Sequence, residues 1–530
     1  MSSAQSAGPV PATSVPWFGL IAVLMGTFIS TLTGRLSTFG VADIRGALHI
    51  GFDEGAWITT VQSVGQMFVL PVAIWIGTIY GPRRILIQAA LAFALISFLL
   101  PLSPNYQVFL VLQFASGLAT GFFIPLTLGF VVRFTPPRYW AWGIALYALN
   151  LELSLNIAAS LEAWYIDYFN WHWIFWQNVP LALIMAACLI FGVAPNPARA
   201  DPPPPDLYGF ASGGLGFAFI YAALDQGNRL DWLNSGLVCG LLLGGTVLLA
   251  AFLIHELSVE HPSVNLKIVF SGQLPRLLIL IGFLRLMLLA SAYLIPQYLQ
   301  VVRGFRSLEV GQSLIWIAIP QLLFCPLAAL MLRRTDPRVV SCIGFVFISI
   351  ACLIVAYSIT PAWGPDQFLK TGLMQAIGQS FALSGIVFYG ILNLKPEDAL
   401  TFGAALQTAR LMGGEIGLAF VVTLTRVRGQ VASNHLGTHV QSGAADVIAR
   451  LHGYAGAVGR GNPNLGSARA PDVMALVVHR ASIIQGIMDT FVVLGLLTAV
   501  ALIFAVAQKP APIGPASHKP FIPRPGEARA

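Results

Sequence analysis

The chain has 530 residues, 56% of them hydrophobic and only 10% charged, with a mean hydropathy of +0.76 and a formal net charge of +7. A soluble globular protein is about 25% charged, so lipid must be part of the solvent of this chain. The positive balance does not point to nucleic acid, because the charges sit in turns between apolar runs rather than on one face.

Apolar runs follow one another from the first residues almost to the last: 15–33, 57–80, 85–102, 108–134, 139–162, 173–193, 208–224, 233–257, 277–302, 310–332, 339–359, 368–394, 400–425 and 483–507. Each is of a length to cross ~30 Å of hydrocarbon as a helix, which predicts fourteen spans. No Lys or Arg precedes the first run, a poor start for a signal peptide, so that run is read as a retained helix. With the N-terminus inside, the inside turns hold Arg83, Arg84, Arg133, Arg138, Arg199, Lys267, Arg276, Arg333, Arg334, Arg338 and Lys395. The tail adds Lys509, Lys519, Arg524 and Arg529, while the short outside turns hold Arg45, Arg229, Arg303, Arg306 and Lys370. Fifteen against five places both ends in the cytoplasm.

Two segments interrupt the rhythm. Ala194–Asp206 (APNPARADPPPPD) reads as a semi-rigid cytoplasmic linker between two halves. Residues 427–480, rich in Gly, Ala, Asn and His, read as a periplasmic loop of weakly helical or partly disordered character. The halves also echo each other. Gly51-Phe-Asp-Glu-Gly55 precedes a span that ends in Gly81-Pro-Arg-Arg84, and Gly304-Phe-Arg-Ser-Leu-Glu-Val-Gly311 precedes one that ends in Arg333-Arg-Thr-Asp-Pro-Arg338. Secondary transporters are commonly built from such repeats.

Five local motifs in order carry a resemblance: Asp53-Glu-Gly-Ala-Trp57, Trp171-His-Trp-Ile-Phe-Trp-Gln-Asn-Val-Pro180, Leu224-Asp-Gln-Gly-Asn-Arg-Leu-Asp-Trp232, Pro262-Ser-Val-Asn-Leu266 and Arg410-Leu-Met-Gly-Gly-Glu-Ile-Gly417. From about Gly19 to Ala507 the chain resembles the major facilitator superfamily, in its fourteen-helix drug/proton antiporter branch of EmrB/QacA type. The resemblance implies an all-α polytopic membrane protein with two six-helix bundles and two inserted helices, working by alternating access. The corresponding division is a cytoplasmic tail 1–14, a first bundle 15–194, the linker 195–206, inserted helices 207–257, a second bundle 258–508 that includes the loop 427–480, and a tail 509–530. Three positions depart from the branch pattern. Thr78 stands where the loop motif has Asp, Gln113 where the helix 4 motif has Arg, and Ala158-Ala-Ser-Leu-Glu-Ala163 where the helix 5 motif has G-P-x-x-G-G.

Charges inside spans are expensive and are functional candidates for that reason. Glu152 lies mid-span in Tyr147-Ala-Leu-Asn-Leu-Glu-Leu-Ser-Leu-Asn156, near Asn150 and on one helical face with Asn156. A carboxyl in low dielectric is cheapest when neutral, so it can take and release a proton during a cycle. The bland reading is a carboxylate neutralised by Arg35 or another buried Arg to hold helices together. Glu162, Glu415 and Asp489 are the other proton-coupling candidates. Arg35 and Arg285 could meet an anionic substrate or pair with Glu152, whereas Arg410 reads first as packing at the bundle interface. Gln62 with Gln66, and Gln375 with Gln379, recur at i,i+4 and either line a cavity or hydrogen-bond between helices. With Gln113, Asn150 and Asn156 they complete the expected substrate pathway, and Gly81, Arg83, Arg84, Asp336 and Arg338 form the expected conformational-gate loops.

The five cysteines lie in apolar runs with no metal spacing, and a metal site at His435 and His439 is a weak alternative to an exposed polar loop. There is no Walker A loop, HExxH or GxSxG in a strand context, so ATP drive and hydrolytic chemistry are disfavoured and no cofactor is expected. The expected function is proton-coupled efflux of hydrophobic or amphipathic small molecules from the bacterial inner membrane. An alternative is a facilitator that imports or exchanges an organic anion or metabolite. An integral membrane enzyme acting on lipid-linked substrates fits less well, because the inside loops are short. The expected partners are the substrate, protons and the bilayer, with a periplasmic adaptor protein and an outer-membrane channel as further candidates, and no nucleic acid.

Overall fold

The computed structural model describes residues 16–134, 139–194, 204–259, 262, 264, 266–394, 399–459 and 463–512. All its elements are helical, and the predicted spans all appear. They are α1 (Pro16–Phe39), α2 (Trp57–Tyr80), α3 (Pro82–Leu99), α4 (Tyr106–Gly121, continued past Phe122 by Phe123–Phe134), α5 (Trp140–Tyr168), α6 (Asn178–Gly192), α7 (Leu207–Gly227), α8 (Gly236–Ser258), α9 (Leu274–Gln297), α10 (Ser307–Leu332), α11 (Pro337–Ser358), α12 (Leu369–Leu392), α13 (Ala399–Gln441) and α14 (Pro463–Val506). Among the described residues, thirteen spans are long and apolar enough to cross a membrane on their own. The remaining one, α13, is diluted by Arg410 and Glu415, both of which it buries.

The internal echo is visible in backbone geometry. Glu54 accepts a hydrogen bond from the Gly51 N–H (2.5 Å) ahead of α2, and Glu309 accepts one from the Arg306 N–H (2.9 Å) at the start of α10. At the other ends, Gly81 takes φ +79°, a conformation glycine adopts freely. Pro82 and Pro337 open α3 and α11, where a missing N–H costs nothing.

In the first bundle α1 packs on α5, α6 and the second part of α4, α2 packs on α4, and α3 packs on α6. In the second, α9 packs on α13, α11 on α12 and α14, and α10 on α12. The bundles meet where α5 runs against α10 and α12, and where the second part of α4 meets α13. Small residues permit the closest approaches: a Cβ on Gly117 would lie 2.0 Å from the Gln62 carbonyl, so α2 and α4 touch backbone to backbone. The inserted pair α7–α8 leans on α2 through α7, while α8 is the least buried span.

The segment 427–480 corrects the expectation of a weakly helical loop. α13 continues to Gln441, turns at Gly443 (φ +65°), and is followed by a helix over Ala445–Gly459 before α14 starts at Pro463. Mutual packing stabilises what composition alone does not: Val447, Ala470 and Met474 are buried where this helix meets the start of α14. Residues 1–15, 195–203 and 513–530 lie outside the described part, as do Arg138, Arg199 and Lys395. Asp206, at the end of the linker, accepts the Gly209 N–H (2.9 Å) and caps α7.

Candidate functional site

α5 is buried on nearly every side, and Glu152 sits at its middle with no solvent exposure. Its partner is Arg285 of α9, not Arg35: Arg285 Nη1 lies 3.6 Å from Glu152 Oε1. The pair joins the two bundles. Neither Glu152 oxygen makes a hydrogen bond, and Arg285 Nε and Nη1 also lack one, so charge rather than hydrogen-bond geometry holds the pair.

Around it lie further cross-bundle contacts. Arg410 donates to Gln407 (2.8 Å) on its own helix and to the Thr31 hydroxyl of α1 (3.4 Å), while its Nε has no partner. Arg35, one turn beyond Thr31, stacks over Phe39 at 5.0 Å, also with Nε unpartnered. The Gln379 carbonyl of α12 accepts from Asn156 of α5 (2.9 Å) and from Gln321 of α10 (2.7 Å). Asn156 also donates to the Glu152 backbone carbonyl (2.8 Å), so the amide relay begins one helical turn from the ion pair.

The remaining expected residues divide. Gln66 donates to Thr120 of α4 (3.0 Å), and Gln375 points at the Cys352 sulfur (3.7 Å), so both bond within their own bundle. Gln62 and Gln113 are buried with amides that find no partner. Asn150 only donates back to Leu146 O (2.9 Å). Glu162 lies further along α5, with Asp43 in hydrogen-bonding contact. Glu415 turns away from Arg410 toward Tyr221 and Asp225 of α7. Asp489 is bound to Arg428 (2.6 Å) near the α13 extension, apart from the central cluster. The sequence reading missed Asp225, Gln321, Gln407 and Thr31. The apolar run stops at Leu224, one residue short of Asp225, but α7 runs on to Gly227.

The two loops expected to gate share one local arrangement. Arg83 donates to the carbonyls of Leu189 and Ile190 (both 3.0 Å), satisfying the open end of α6. Arg338 is gripped by Asp336 (3.1 and 3.2 Å) and donates to Gln508 O (2.6 Å) just beyond α14. Each loop thus ties down the last helix of its own bundle. Arg84 lies over Tyr80 (5.9 Å), and Thr78, at the motif's acidic position, bonds only to Ile74 O (2.8 Å). In α5 the altered motif still packs closely, since a Cβ on Gly311 of α10 would meet Ser160 Oγ at 2.6 Å.

The family model described as Major Facilitator Superfamily matches residues 23–418, most of the chain. The chain belongs to the major facilitator superfamily. It is a multi-pass membrane transporter. It is 25% identical to the probable multidrug resistance protein EmrY of Escherichia coli, over 78% of this chain and 81% of that one. It is 22% identical to the multidrug export protein EmrB of Haemophilus influenzae (79% and 82% covered). It is also 22% identical to the fatty acid resistance protein FarB of Neisseria gonorrhoeae (82% and 85% covered). Its fold is similar to that of the human organic anion transporter MFSD10 (TETRAN), with a TM-score of 0.57 and 13% identity, covering 94% of this chain and all of that one. The two loops and the central ion pair therefore sit in a transporter fold built of two bundles.

Proposed function

We propose that this chain is a proton-coupled exporter of hydrophobic or amphipathic small molecules in the bacterial inner membrane. The observation that carries the proposal is the Glu152–Arg285 pair, wholly buried and shared between the bundles. Protonating Glu152 removes one charge and frees Arg285, so the attraction between the bundles at their centre depends on the proton. A substrate that needs the ionised carboxylate competes with the proton for it, which is the simplest basis of antiport. Relatives named as multidrug export proteins support the direction. Glu415 and Glu162, each facing a second carboxyl, are secondary proton carriers, whereas Asp489, already ion-paired, is the weakest candidate. The substrate path runs along Arg35, Gln62, Gln66, Gln113, Asn150, Asn156, Arg285, Gln375, Gln379 and Arg410.

The test is uptake of a fluorescent amphiphile into energised inverted vesicles. Wild-type uptake is expected to collapse with an uncoupler. Glu152→Gln is expected to bind the amphiphile and lose gradient-driven uptake. Unchanged uptake with unchanged pH dependence would move the coupling role elsewhere.

A second reading is favoured by the close approach of guanidinium groups: Arg285 and Arg410 both lie near Glu152, and Arg35, whose carboxylate neighbour is Glu415, lies near Arg285. An organic anion could share Arg285 with Glu152. The sign of the coupling separates the two readings. Under antiport, lowering the pH weakens substrate binding. If an anion takes Arg285 when Glu152 is protonated, lowering the pH strengthens it.

Both termini are assigned to the cytoplasm and 427–480 to the periplasm. Reporter fusions after Ala507 and within 453–466 are expected to give opposite signals. The helical extension is assigned as the docking element for an adaptor protein that hands substrate to an outer-membrane channel. Deleting 437–471 is expected to reduce export from whole cells without lowering the inserted amount, and full export would identify a stand-alone pump.

A further inference from the structure

The outer end of α7 crosses the seam between α2 of the first bundle and α13 of the second. On the α2 side the contacts are many. The Thr60 hydroxyl donates to Asp225, Gln226 Nε2 donates to Ala56 O (3.2 Å) and Thr60 Oγ1 (2.6 Å), and Arg229 Nη1 reaches Asp53 (2.5 Å). On the α13 side, Asn228 donates to Ala419 O (2.9 Å) and accepts from the Thr423 hydroxyl (2.7 Å). Asp231 lies 3.8 Å from Arg426, and the Asp225 and Glu415 side chains share a hydrogen bond. Deeper in the seam, Tyr221 packs between Met67 and Leu70 of α2, with Leu411 and Met412 of α13 around them.

We infer that α7 travels with the first bundle and that its outer end is a latch, which must release α13 before the transporter can open outward. Two observations set this direction. The α2–α7 contact is far more extensive than the α7–α13 contact, so the α13 side is the one that parts. At the outer end the α13 contacts are polar and few and can be exchanged for water as they open, with only the half-buried Leu411 and Met412 flanking the apolar cluster, whereas Tyr221 and Phe217 would have to leave Met67 and Leu70 if α7 parted from α2. The carboxyl pair makes the latch responsive to protons. Two carboxyls can hydrogen-bond only with a proton between them, and once that proton leaves they repel across the seam. The other ionisable or charged groups around the pair are Tyr221 and Arg229 of α7 and Arg35 of α1, with Asp53 beyond Arg229. The inference rests on the membrane orientation proposed above and on two bundles that rock, but needs neither the substrate nor the direction of transport.

The test uses two cysteine pairs in a full-length chain whose native cysteines are replaced, reconstituted in vesicles. Asn228→Cys with Thr423→Cys links α7 to α13, and Asp53→Cys with Arg229→Cys links α7 to the start of α2. The readout is labelling of a third cysteine at Gln62 by a membrane-impermeant maleimide from outside, quantified on its own peptide. Oxidising the first pair is expected to cut labelling at least tenfold, with recovery on reduction. Oxidising the second pair is expected to leave labelling within twofold. Undiminished labelling with the α7–α13 link formed would overturn the latch, and so would equal loss with both links. Because labelling needs no substrate, the latch can fail or survive independently of the export reading.

Discussion

Replacing Arg285 by Met leaves Glu152 without its ion-pair partner in a site that has no exposure and no hydrogen bond, with Arg410 as the remaining cation nearby. The carboxyl then has two options. As an unpaired buried anion it costs about 3–5 kcal/mol. Held neutral at pH 7, against an ordinary carboxyl near 4.3, it costs about 3.7 kcal/mol, which falls to about 1.6 kcal/mol at pH 5.5. The cost appears because the unfolded chain keeps the carboxyl ionised at pH 7 and the folded variant does not, so the variant gains stability as the pH falls. The double variant Glu152→Gln/Arg285→Met has no such group and is the proper reference. The assay is thermal or denaturant unfolding of purified protein in one detergent at both pH values. Arg285→Met is expected to be less stable than the double variant by roughly 3–4 kcal/mol at pH 7, with about half of that deficit gone at pH 5.5. Equal stability of the single and double variants at pH 7 would refute the pairing, and a deficit that grows on acidification would refute the sign.

Further outcomes depend on particular contacts. Gly117→Ala places a Cβ 2.0 Å from the Gln62 carbonyl, so α2 and α4 must part, and the yield of folded protein is expected to drop sharply. Gly236→Ala, with nothing within 4 Å, is expected to be neutral in the same expression assay. Arg83→Ala uncaps the end of α6 and Arg338→Ala frees the chain beyond α14, so each is expected to raise hydrogen exchange at 189–190 or 508 respectively, without affecting the other site. Asp489→Asn removes only a partly exposed ion pair, worth about 0–1 kcal/mol, and is expected to keep the pH dependence of transport that Glu152→Gln loses.

The spans were legible because hydrocarbon imposes a length and an apolarity that few other environments demand, and even α13 was found despite its two buried charges. The repeat was legible because the acidic residue ahead of a span and the Gly-Pro or Asp-Pro turn after it each satisfy backbone groups locally. Glu152 stood out because a mid-span carboxylate is rare. Its partner did not. Arg35 and Arg285 were equally available in the sequence, and only the packing of α5 against the second bundle selects a residue more than a hundred positions away. Asp225 escaped because Leu224-Asp-Gln-Gly has the composition of a turn, whereas contact with α2 keeps it helical. The helices within 427–480 escaped for a similar reason, since their stability comes from packing on each other.

The central claim is that substrate and proton compete at Glu152, and the most direct measurement counts protons when substrate binds. Purified protein in weakly buffered solution is titrated with a transported amphiphile at a series of pH values, down to those at which Glu152 carries a proton before binding, while the pH of the solution is followed. The account predicts that binding to the wild type releases protons into solution, and that Glu152→Gln binds with little or no release. Proton uptake by the wild type, or equal release from both proteins, would contradict it.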